Sequence, residues 1–119
     1  MNNKILIVDD SKFMRNYLKQ ILTNGGFQVI AEAADGDDAV CLFKSASPDI
    51  VMLDLNMSRM DGITTLKEIK NYDPNARIVI CSAMGQSLLM VEALQLGAID
   101  FIVKPFFDEL IPILNRARK

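Results

Sequence analysis

The sequence predicts an α/β domain built on an open, five-stranded parallel sheet with helices on both faces. Five short runs rich in Ile and Val alternate with five segments of helical period. The connections between them are short throughout, as right-handed crossovers between parallel strands require. The alternation ends after five units, short of the eight that close a barrel.

The first strand is Lys4-Ile5-Leu6-Ile7-Val8. The helix after it carries Phe13, Met14, Tyr17, Leu18, Ile21 and Leu22 at the spacing that lines one buried face, and Asn24-Gly25-Gly26 stops it. A second strand over 28–33 leads to a helix from about Asp37 to Lys44, which ends before Ser47-Pro48. The third strand is Asp49-Ile50-Val51-Met52-Leu53. Asp61 is the N-cap of a third helix whose buried stripe is Ile63, Leu66 and Ile69, followed by a loop over 71–75. Residues 77–81 form the fourth strand, and a fourth helix spans about Gln86 to Leu96 before Gly97. The fifth strand covers 100–103. The fifth helix lies in 108–118 and starts at Asp108 as cap, because Pro112 is tolerated only in a first turn. Apolar runs without polar alternation fit strands covered on both faces.

The 119 residues fit one domain, 1–119, with no linker or composition break. A net charge of −2 argues against a basic nucleic-acid-binding face. No apolar run reaches membrane-span length and no signal-peptide order precedes the first strand, so the chain reads as cytoplasmic. Cys41 and Cys81 sit in apolar segments without metal-type spacing and read as buried, reduced thiols. There is no histidine, which excludes an imidazole base, a His-ligated zinc, a Ser-His-Asp triad and a phosphohistidine.

The chemistry gathers where strands end. Asp9 and Asp10 follow the first strand, Asp54 the third, Ser82 the fourth and Lys104 the fifth. Parallel strands bring their C-terminal ends to one edge, where α/β proteins bind ligands. One acidic residue after a strand is ordinarily the cap of the next helix; two in succession exceed what a cap needs. Three close carboxylates repel unless a cation joins them, and a hard ion with oxygen ligands, Mg²⁺, resolves the conflict. Lys104 either pairs with one of the aspartates or meets an anion. Mg²⁺, a lysine and a hydroxyl together suit a phosphoryl group in transit. No GxxxxGK[ST] or GxGxxG loop is present to cradle a nucleotide. Asp54 is therefore the candidate nucleophile, forming an aspartyl phosphate.

Asp9-Asp10, Asp54-Leu55-Asn56-Met57, Met60-Asp61-Gly62, Ser82-Ala83 and Lys104-Pro105, in this order and spacing, resemble the receiver domain of two-component response regulators over the whole chain. Residues 81–86 and 100–106 are most similar to its single-domain chemotaxis members. The resemblance implies the flavodoxin-like strand order 2-1-3-4-5. It implies that Asp54 accepts a phosphoryl group from the phosphohistidine of a sensor histidine kinase. Asp10, Asp54 and the Asn56 backbone carbonyl would ligate Mg²⁺, with Asp9 acting through water. Lys104, Ser82 and the Ala83 backbone would bind phosphoryl oxygens, and the Lys104-Pro105 bond would be cis.

Ser82 would move toward the modified Asp54 and vacate space for the Phe101 ring, although on the residues alone Phe101 is a core aromatic. The face of the fourth helix, fifth strand and fifth helix would carry the output. The fourth helix has more apolar residues than one buried stripe needs: either some face solvent as a docking site or the helix is deeply embedded. Asn56 and Met84 would tune dephosphorylation; Asn56 can orient a water and Met84 cannot. Ser58 stands where relatives often carry Pro, which implies a looser loop after Asp54, and neighbouring Arg59 either adjusts kinase docking or is simply solvated.

The implied function is a monomeric response regulator of chemotaxis that engages a chemotaxis-type kinase, a flagellar motor switch protein and a phosphatase. It would bind neither nucleic acid nor membrane directly. It would not be a turnover enzyme, although it assists its own Mg²⁺-dependent phosphorylation and dephosphorylation. Alternatives are the receiver of a DNA-binding transcription regulator and a phosphorelay intermediate. A haloacid dehalogenase-type phosphatase is disfavoured, because Asn56 stands where its general acid would be.

Overall fold

A computed structural model describes residues 2–57 and 60–118 of the chain. Its elements alternate without exception: β1 (Lys4–Val8), α1 (Lys12–Asn24), β2 (Gln28–Ala33), α2 (Gly36–Ala46), β3 (Ile50–Asp54), α3 (Gly62–Tyr72), β4 (Ile78–Ser82), α4 (Ser87–Gln95), β5 (Asp100–Val103) and α5 (Leu110–Ala117). All strand pairs are parallel and the sheet order is β2-β1-β3-β4-β5. Asp54 and Ser82 are thus the last residues of their strands, one position beyond the expected ends.

Period-two alternation in the strands divides the core between two faces. Leu6, Val8, Val51, Leu53, Ile78 and Ile80 pack with Ala39 and Phe43 of α2, Leu66 and Ile69 of α3, and Ala93 of α4. Ile5, Ile7, Ile50, Met52, Val79 and Ile102 pack on the other side with Leu18 and Leu22 of α1 and Leu110, Ile113 and Leu114 of α5. The central strands β3 and β4 are buried along their whole length. Edge strands β2 and β5 are only partly covered, so burial on both faces holds for the middle of the sheet alone.

Three helices begin on side-chain caps. Ser11, Asp35 and Asp61 accept from the amides of Met14, Asp38 and Thr64 at 3.1, 2.9 and 2.8 Å. Gly97 ends α4 at φ +109, a conformation that disfavours any side chain.

Three expectations need correction. Phe13 and Tyr17 lie on the solvent side of α1, Phe13 being 76% exposed, while Leu18 and Leu22 carry the burial. A thirteen-residue helix lying on a sheet buries a narrower stripe than its apolar content allows. Asp108 does not cap α5: Glu109 occupies the cap position without a side-chain hydrogen bond, which puts Pro112 at the third helical residue, still inside the first turn. Cys41 is exposed, whereas Cys81 is buried and its thiol is pushed up to about 12 by desolvation. Ser58 and Arg59 lie outside the described residues.

Candidate functional site

The parallel register brings the predicted residues to one edge of the sheet. Val8 pairs with Leu53, so Asp9 leaves β1 beside Asp54 on β3. Asp54 pairs with Cys81, which places Ser82 one step further on β4, and Ser82 pairs with Val103 just ahead of Lys104. Asp9, Asp10 and Asp54 each offer a carboxylate oxygen within 4.8 Å of the others. Asp9 and Asp54 are buried and Asp10 is exposed.

The two carboxylate oxygens of Asp9 are both engaged. Oδ1 accepts from the Ser11 amide at 2.9 Å and Oδ2 from Lys104 Nζ at 2.7 Å. Asp54 Oδ1 accepts from the Asn56 amide at 3.1 Å, and its Oδ2 lies 3.5 Å from Lys104 Nζ. Burial raises the Asp54 pKa to about 6, assisted by the charges of Asp9 and Asp10 and opposed by the Asn56 hydrogen bond and Lys104. For Lys104, burial favours the neutral amine, but the hydrogen bond to Asp9 and the charges of Asp54 and Asp9 outweigh it, so its pKa rises. The two carboxylates thus keep the Lys104 ammonium charged at the edge of the sheet.

Ser82 is fully buried, and among the described residues its Oγ is the buried side-chain atom without a hydrogen-bond partner. An unsatisfied buried hydroxyl costs about 1–3 kcal/mol, and a newly arriving oxygen would relieve that cost. An all-carboxylate donor set with an orphaned hydroxyl beside it fits a hard divalent cation and an oxyanion. The Lys104-Pro105 bond is cis. Phe101 is 37% exposed and so is not the core aromatic that its residue type suggests. Met84 is exposed, and the Ala83 N–H already donates to Gln86 Oε1 at 2.8 Å.

The family described as the response regulator receiver domain matches residues 5–115. The chain belongs to that family. It is 53% identical to the chemotaxis protein CheY of Bacillus subtilis (strain 168), over 98% of this chain and 98% of that protein. The CheY chain of the CheX-CheY-BeF3-Mg²⁺ complex from Borrelia burgdorferi superposes with a TM-score of 0.85 at 46% identity, covering 95% of this chain and 84% of that one. The receiver domain of NtrX from Brucella abortus gives 0.88 at 37% identity, covering 96% and 97%. The flavodoxin-like receiver fold and the close relation to CheY are thereby shown, and receivers of other types share the same architecture.

Three further residues support the site: Gly62 belongs to the Met60-Asp61-Gly62 motif, whereas Arg15 and Gln86 carry no sequence signal of their role. Arg15 Nη1 donates to the Asp9 carbonyl at 2.7 Å while its Nε pairs with Glu32, fixing the β1–α1 turn from the helix side. A Cβ on Gly62 would press into the Leu55 Cα and lie 2.5 Å from the Asp54 carbonyl oxygen, so α3 can start this close to β3 only with glycine there. Gln86 reaches back to Ala83. Arg15 and Gln86 act through backbone atoms, and no residue pattern announces such contacts.

Proposed function

We propose that this receiver is a phosphorylation-activated response regulator that accepts a phosphoryl group on Asp54 and signals by altered binding to partners in chemotaxis. The observation that carries the reading is the partnerless, fully buried Ser82 hydroxyl at the tip of the strand paired with that of Asp54. Within this reading the ionised Asp54 carboxylate attacks the phosphorus of a kinase phosphohistidine. The new O–P bond forms as the P–N bond breaks, and the bond's electron pair stays on the imidazole nitrogen. Dephosphorylation is attack of water at the same phosphorus, returning the carboxylate and inorganic phosphate.

The chain's residues divide this work. Asp10, Asp54 and the Asn56 carbonyl would hold Mg²⁺, and Asp9, with both oxygens already engaged by protein donors, would act through water. Bound Mg²⁺ supplies neutralisation of the negative charge that accumulates when carboxylates and phosphoryl oxygens meet. Lys104 Nζ holds one phosphoryl oxygen, while the Ser82 hydroxyl and Ala83 N–H take others. Asn56 can orient the hydrolytic water, and Met84 has no polar atom to assist it. Movement of Ser82 toward the phosphoryl group makes room for the Phe101 ring to turn inward, which changes the face of α4, β5 and α5.

Helix α4 exposes Leu88 and Val91, and Phe101 of β5 and Phe106 just after it are exposed as well, which suits a docking partner. The likeness to CheY supports a chemotaxis-type histidine kinase as donor, a flagellar motor switch protein as target and a phosphatase as terminator, for a monomer working in the cytoplasm. The likeness to the NtrX receiver supports a second reading, a receiver serving a longer regulator. Binding of motor-switch and kinase fragments with and without Mg²⁺ and acetyl phosphate separates the two. Phosphorylation-enhanced binding of the switch fragment is expected, and no binding in either state would remove the motor from the proposal.

A further inference from the structure

The β4–α4 loop offers a phosphoryl group two donors, and only one of them is free. The Ser82 hydroxyl has no partner, but the Ala83 N–H donates to Gln86 Oε1 at 2.8 Å. Gln86 occupies the N-cap position of α4, yet its side chain makes no hydrogen bond to that helix. The caps of α1, α2 and α3 each accept an amide of their own first turn. Gln86 instead turns back across a loop that passes through Gly85 at φ +91.

We propose that Gln86 is a positioning residue: it holds the Ala83 N–H in the unmodified protein and must release it to a phosphoryl oxygen. This inference rests on the reading of Asp54 as phosphoacceptor. One N–H cannot serve two acceptors fully, and a charged phosphoryl oxygen accepts more strongly than a neutral amide oxygen. The exchange therefore runs toward the phosphoryl group, with the lost Gln86 bond subtracting from its net gain. Once displaced, the Gln86 side chain turns to solvent at the start of a helix whose first-turn N–H groups have no side-chain cap. Arrival of the phosphoryl group is then felt at the start of α4 directly, in addition to any movement of Ser82 and Phe101.

The test is titration of wild type, Gln86→Ala and Gln86→Glu with beryllofluoride in the presence of Mg²⁺, followed by amide NMR and hydrogen exchange at Ala83. Gln86→Ala should bind roughly 2- to 10-fold more tightly than wild type, the span of one modest hydrogen bond. Gln86→Glu should bind more weakly, since its carboxylate grips the amide harder and repels the incoming anion. In the free proteins the Ala83 amide should lose protection only in Gln86→Ala; in the complexes it should be equally protected in all three. A mere capping role for Gln86 predicts the opposite sign, with Gln86→Ala binding more weakly. Equal or weaker binding by Gln86→Ala, or unchanged Ala83 protection in the free variant, overturns the inference alone. Failure of wild type to bind beryllofluoride overturns the phosphoacceptor reading as well.

Discussion

Lys104 Nζ donates to Asp9 Oδ2 at 2.7 Å, joining the end of β5 to the end of β1 across the two strands between them. The same ammonium stands 3.5 Å from Asp54 Oδ2, so one cation serves two buried carboxylates. Lys104→Ala removes it. Loss of one partner of a largely buried pair costs about 3–5 kcal/mol at most, and part of this returns when a divalent ion takes over the neutralisation. We expect lower stability in chelator, tighter Mg²⁺ binding and phosphorylation by acetyl phosphate slowed at least about tenfold, since that charge also stabilises the transferring group. Denaturation with and without Mg²⁺ checks the first two effects; weaker Mg²⁺ binding would count against shared neutralisation.

Ser82→Ala separates stability from response. The hydroxyl is buried without a partner, so its removal should leave the unmodified protein as stable as wild type or more so, by up to about 1 kcal/mol. The phosphorylated variant should lose the enhanced partner affinity. Unchanged enhancement would sink the coupling of Ser82 to Phe101.

The raised pKa of Asp54 makes a pH prediction for the metal-free protein. Its folded value, about 6, lies above the ordinary 3.8, so the folded state holds the proton more tightly than the unfolded state. Ionised Asp54 therefore destabilises the fold: the cost is absent below the unfolded pKa, grows through the window between the two values and is complete above the folded one. Asp54→Asn should be more stable than wild type near neutral pH by about 1–2 kcal/mol, allowing for solvent screening. The gain should vanish in acid, and Mg²⁺ should stabilise wild type alone. Equal stability of the two proteins across this range would contradict the assigned burial cost.

Gly62→Ala tests how closely α3 must approach β3. The added methyl meets backbone atoms of Leu55 and Asp54, which cannot move aside as a side chain can. Destabilisation of about 1–3 kcal/mol is expected, together with weaker Mg²⁺ binding as the Asp54 segment shifts. A variant with wild-type stability and metal affinity would show that the loop yields freely.

Much of this was legible in the sequence because each signal was local. Ile-Val runs ending in Asp, Ser or Lys mark the strand tips, and a parallel sheet converts those tips into one site. The cap Asp61 and the stop at Gly97 follow from residue type. Phe13 misled because its period matches the buried stripe, and only the position of the neighbouring strands decides which residues of α1 reach the sheet. The start of α5 misled because Asp108 has a capping side chain but Glu109 holds the cap position. The Gln86–Ala83 and Arg15–Asp9 contacts use main-chain atoms, which every residue possesses and no pattern singles out.

The most direct test is incubation with Mg²⁺ and acetyl phosphate followed by intact-mass analysis of wild type and Asp54→Asn. We expect a single phosphoryl adduct on wild type, absent from the variant and absent from wild type in chelator. An adduct of equal extent on Asp54→Asn, or none on wild type, would contradict Asp54 as the phosphoacceptor.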